Sequence, residues 1–139
     1  MQRIRVIGLM LLGALLGAGA VAAQGLQPVP TGQKGDRLAT IELGKAYPVM
    51  KGYQLKFSRI IVPPGGGLTK HSHKELPEVQ IIISGVLTDQ RNGGPPHAFG
   101  PGSILVNDAD VTHATLNKGK EPVVLYSSNV SKPPPTPGR

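Results

Sequence analysis

Three of the four histidines share one pattern with a carboxylate. From Gly65 the chain runs five residues to His71, then Ser72 and His73, then four residues to Glu78 and six to Gly85. On an extended strand residues two apart share a face, so His71 and His73 present two imidazoles side by side. Pro77 breaks the chain ahead of Glu78, and a hairpin there brings the carboxylate back opposite the pair. His113 adds a third imidazole from a later strand, with Asn117 four residues beyond it. Three imidazoles and one carboxylate suit a single divalent transition metal, whether Fe, Mn, Ni, Cu or Zn. Parity extends the set. If Glu78 faces inward, so do Gln80 and Ile82, and Thr115 accompanies His113.

Other polar residues admit two readings each. Gln80 either hydrogen-bonds a bound water or ligand or satisfies a neighbouring backbone group. Asp108 and Asp110, in Asn107-Asp108-Ala109-Asp110, either make an Asx turn or reach the surroundings of the metal. Arg59 either points to solvent or meets an anionic substrate, and His97 reads as a surface-loop residue. Met50, Tyr53, Phe57 and Tyr126 are read as core or pocket wall.

The elements that must carry these groups are β-strands. Runs rich in Ile, Val, Leu and Tyr recur at 38–43, 53–62, 79–88, 103–106, 111–116 and 123–127. Gly- and Pro-rich turns separate them at 63–67, 92–96, 100–102 and 117–119. Short strands at this spacing indicate an antiparallel sandwich or barrel, with an Asn-Gly-Gly hairpin between Thr88 and Phe99. No helical pattern of ten residues appears after residue 23.

With these residues in place the chain resembles a small single-domain bacterial cupin. Gly65, His71, His73, Glu78 and Gly85 match the first cupin motif at every fixed position, and Gly102, His113 and Asn117 match the second in part. The second motif usually has Pro and Gly ahead of its histidine, where this chain has Asp108 and Asp110. The resemblance implies an all-β fold, a small double-stranded β-helix or jelly-roll barrel. It also implies that His71, His73, Glu78 and His113 bind one divalent metal and leave two coordination positions for water, substrate or O₂. Gln80, Thr115 and Asp110 are candidates for touching those ligands, and Glu78 doubles as a candidate base. Related small cupins commonly pair through sheet edges, so a homodimer is expected.

Length and composition set the frame. A chain of 139 residues is enough for one domain, and the 19 Gly and 14 Pro show no collagen period. Residues 1–23 read as a cleavable signal peptide, with Arg3 and Arg5 ahead of an apolar run that ends in Val21-Ala22-Ala23. That places the mature protein in the periplasm or outside the cell, with no stable membrane anchor after cleavage. Residues 24–37 are expected to form an extended arm, 38–131 the cupin domain and 132–139 a proline-rich tail. The absence of Cys leaves stability to the core, a partner subunit or a metal. The net charge of +7 is spread singly among few aromatics, which disfavours a nucleic-acid partner and leaves a small molecule as ligand or substrate.

Three functions fit. One is a metal-dependent dioxygenase acting on a small enolisable or aromatic substrate, similar to quercetin-dioxygenase-like cupins. Another is a non-oxidative decarboxylase or isomerase, which needs Arg59 or Asp110 in the pocket. The third is a non-catalytic envelope module that holds a metal or small anion.

Overall fold

The computed structural model describes residues 32–132. The proposed signal peptide, residues 24–31 of the arm and the tail after Lys132 lie outside the described residues. Nine strands form: β1 (Lys34–Glu42), β2 (Gln54–Val62), β3 (Gly67–Ser72), β4 (Glu78–Ser84), β5 (Leu87–Arg91), β6 (Pro96–Phe99), β7 (Ile104–Asn107), β8 (Thr112–Leu116) and β9 (Val123–Ser131). Two 3₁₀ turns, Leu43–Lys45 and Pro48–Met50, link β1 to β2. The strands make a five-stranded sheet in the order β1-β2-β9-β4-β7 and a four-stranded sheet in the order β3-β8-β5-β6. All neighbouring strands in the two sheets run antiparallel. This is the jelly-roll architecture that the short, turn-punctuated runs imply.

Two element boundaries differ from the sequence expectation. The run 79–88 is not one strand. Gly85 interrupts it at φ 76°, where an added Cβ would lie 2.9 Å from both Pro122 O and Val123 Cα. The chain turns there and crosses from the five-stranded to the four-stranded sheet. The first strand begins at Lys34 rather than Leu38, because pairing with β2 continues past a bulge between Arg37 and Ala39. The expected hairpin joins β5 to β6, where Asn92 and Gly93 are both at positive φ and the Gly94 N–H donates to Arg91 O to close the turn.

The interior is divided along the barrel. Ile82 and Ile60 both pair with Leu125 on β9, and with Val62, Leu87, Leu105 and Val123 they form the apolar core. One register step along, Gln80 and Ser58 flank Ser127, and beyond them Glu78 faces Asn107. Among the described residues nine buried apolar side chains are therefore matched by ten buried polar ones. An interior with that balance holds a site at its polar end as well as a core.

Candidate metal centre

The polar end draws on both sheets. His71 on β3 pairs directly with His113 on β8, so the two rings stand on one face with centroids 4.6 Å apart. His73 follows β3 immediately. Its backbone N–H donates to Val111 O, and its ring lies 4.8 Å from that of His113. The ring nitrogens of the three histidines include one from each that all fall within 4.8 Å of one another. The opposite sheet supplies Glu78 and Gln80, at the start of β4. Together with Thr115 these residues line a cavity of about 160 Å³, walled by Leu68, Leu76, Leu87 and Leu125.

Each imidazole is anchored through Nδ1. His71 Nδ1 lies 2.9 Å from Thr69 O, His73 Nδ1 2.8 Å from Leu76 O, and His113 Nδ1 2.9 Å from Asp89 Oδ1. Carbonyl and carboxylate oxygens only accept, so each Nδ1 carries the proton and each Nε2 is left as a lone pair. The Nε2 atoms of His73 and His113 face each other at 2.9 Å. Two lone pairs at that distance are relieved by a shared proton or by a metal cation. Two ligands at right angles, each about 2.1 Å from a metal, stand about 3 Å apart. The donor set thus fits a divalent metal.

Glu78 lines the same cavity but stands beside the three-nitrogen cluster. Its carboxylate accepts from Ser127 Oγ and from Gln80 Nε2 at 2.8 Å, and lies 4.0 Å from His73 Nδ1. Gln80 uses its amide N–H to hold Glu78, and its Oε1 is buried without a partner among the described residues. Thr115 accepts from the Leu68 N–H beside the β3 bulge, at 3.2 Å.

Several candidates lie elsewhere. Asp110 is exposed, and its N–H donates to Asp108 Oδ1 at 3.2 Å, the Asx turn that replaces Pro and Gly. Arg59 is exposed and bonds Asp36 at 2.6 Å on the outer face. His97 is exposed on strand β6 rather than in a loop, because β6 pairs with β5 along its length. Asn117 is buried at a barrel corner, where its amide donates to Val62 O and Glu121 O. Phe57 and Tyr126 stack on the outer face of the five-stranded sheet with centroids 5.4 Å apart, and Met50 and Tyr53 lie outside the histidine cavity.

Asp89 is the site residue that sequence reasoning missed. It is fully buried, with one carboxylate oxygen on His113 and the other 2.7 Å from Arg91 Nε. Burial alone would raise its carboxyl; the hydrogen bonds from His113 and Arg91 and the charge of Arg91 outweigh that and hold it below the usual carboxylate range. Burial lowers the His71 imidazole below its ordinary value, partly opposed by Thr69 O.

Residues 58–129, just over half of the chain, match the family model of the cupin domain. The chain belongs to the cupin family. Solved cupins share its fold at low identity. The Schizosaccharomyces pombe Cnp3 cupin domain is 16% identical over 71% of this chain and 61% of that one, with a TM-score of 0.58. KdgF from Halomonas sp. is 16% identical over 78% of this chain and 86% of its own, at 0.57. Recombinant oxalate oxidase in complex with glycolate is 20% identical over 80% of this chain and 57% of its own, at 0.55. This cupin thus spans about six-tenths of the Cnp3 domain and of oxalate oxidase. No curated protein sequence matches it.

Proposed function

We propose that this is an exported metal-binding cupin of the dioxygenase type, in which His71, His73, His113 and Glu78 hold one divalent metal that binds a small enolisable or aromatic substrate. The observation that carries the reading is the convergence of lone pairs: all three Nδ1 atoms are tied off, and the Nε2 atoms of His73 and His113 face each other at 2.9 Å. When bound, such a metal supplies Lewis-acid polarisation of a ligating oxygen. The chain's own residues do the rest. Four leucines wall the cavity, Glu78 stands beside the histidines as proposed ligand and candidate base, and the unpartnered Gln80 Oε1 is an acceptor for a donor group nearby. At about 160 Å³ the cavity is below the roughly 300 Å³ at which drug-sized pockets begin, which favours a compact substrate over a multi-ring flavonol.

The non-oxidative reading needs Arg59 or Asp110 in the cavity, and neither lines it. The non-catalytic module keeps one argument: among the described residues the cavity wall offers no acid or base beyond the proposed ligands. Export is proposed from the leader sequence, and a homodimer from the apolar outer face of the five-stranded sheet.

Element-resolved analysis of untagged protein tests the centre. About one equivalent of a divalent transition metal is expected, largely lost in His73→Ala. Less than half an equivalent in every preparation refutes it. Oxygen uptake on small diketones and catechols by metal-loaded protein, abolished in His73→Ala, supports the dioxygenase. An inert panel with the metal retained favours the holding module.

A further inference from the structure

Resting on the metal reading above, we infer that Asp89 and Arg91 form a positioning pair that fixes the ring of His113 and ties it, through Asn107, to Glu78 on the opposite sheet. Leu87, Asp89 and Arg91 alternate on β5, so all three side chains share the inward face. Leu87 joins the apolar core, and for the fold alone another apolar residue would serve at position 89. A fully buried carboxylate must instead be paired.

The partners of Asp89 explain what it does. His71 and His73 rest on backbone carbonyls, which set the tautomer without adding charge. His113 rests on a carboxylate, which sets the same tautomer and also makes the imidazole a stronger donor through Nε2. Arg91 balances that charge through Nε, and its planar fork continues outward from there. One N–H donates to Val106 O at 2.8 Å and another to Asn107 Oδ1 at 2.7 Å. The fully buried Asn107 places its amide nitrogen 3.5 Å from Glu78 Oε2. A continuous line of polar side chains therefore runs from His113 to Glu78 by way of three residues that touch no cavity ligand except those two. Arg91 acts at a distance from the cavity and is itself partly exposed, so substitution there leaves the cavity wall intact.

Two measurements test the pair. In ¹⁵N NMR of the metal-free full chain at neutral pH, His113 is expected as the Nδ1–H tautomer in the wild type and as a mixture in Asp89→Leu. A wild-type His113 protonated at Nε2 alone overturns the inference, whether or not the protein binds metal. In competition with a chelator, Asp89→Leu and Arg91→Met are expected to bind metal 10- to 100-fold more weakly, and Arg91→Lys to recover only part of the loss. Wild-type affinity in both folded variants also overturns it. Should Asp89→Leu fail to fold, the wild-type tautomer and Arg91→Met still decide. Absence of metal binding in the wild type counts against the metal centre instead, and leaves the tautomer measurement standing.

Discussion

His113 differs from its two neighbours in the group that holds its ring. Its Nδ1 meets the buried carboxylate of Asp89, while His71 is partly exposed and rests on a carbonyl. Both His71 and Asp89 titrate below their ordinary values when folded. In each case the unfolded chain binds the proton more readily, so stability falls as pH falls through the gap between the two values. Metal-free protein should therefore lose melting temperature once pH drops below about 6.5, where the unfolded His71 charges, and again below about 3.9 as Asp89 is reached. Thermal melts from pH 7.5 to 3 check this, and a flat profile from 7 to 5 would contradict the His71 part. The histidines were legible because their spacing is local: His71, His73 and Glu78 fall within eight residues. Asp89 lies 24 residues from His113, and only the register that pairs it with Thr115 brings the two together. Parity would have found it had the strand been started after Gly85.

At the scale of elements, two glycines decide where the site can be. Gly85 turns the chain between sheets, so Glu78 and Gln80 end on one wall and Asp89 and Arg91 on the other. Its role was hidden because Ile, Val and Leu continue on both sides of it, and apolar runs do not announce a change of sheet. Gly67 opens β3 against β8 so closely that an added Cβ would fall 1.9 Å from Thr115 O. Gly67→Ala must push β3 away from β8, with a cost of about 1–3 kcal/mol or more. A domain of this size loses about 4–8 °C of melting temperature per kcal/mol. Calorimetry of the variant checks this, and a melting temperature within a degree of wild type would show that β3 has room to move. Strand existence was readable from composition and turn residues. The bulges in β1 and β3 were not, because each depends on its partner strand.

For the whole molecule, the outer face of the five-stranded sheet matters most. Ile104, Ile81 and Tyr126 stand in one row across β7, β4 and β9, and in the next Val106 and Val79 are followed by Ser128 on β9 and then Phe57 on β2. Ile104 is 62% exposed and Val106 53%. A contiguous apolar face of this kind marks an association surface. It supports the proposed homodimer through the sheet face rather than through the edges that the resemblance suggested. Light scattering is expected to give twice the monomer mass, and Ile81→Lys with Ile104→Lys a monomer. A wild-type monomer mass at micromolar concentration would remove the dimer. The fold class was legible from turns and strand spacing, but this surface was not, since the same alternation serves a core and an interface alike.

The proposed ligands are divided unequally between the two walls. The histidines belong to β3, β8 and the residue directly after β3, all on one wall, whereas Glu78 comes from β4 on the other. An ion held by the imidazoles alone would ride on one wall, leaving the bonds of Arg91 to Val106 and Asn107 as the polar tie across the barrel. If Glu78 held the ion as well, the same ion would become a second latch between them, and for a cysteine-free chain it would be the nearest thing to a cross-link.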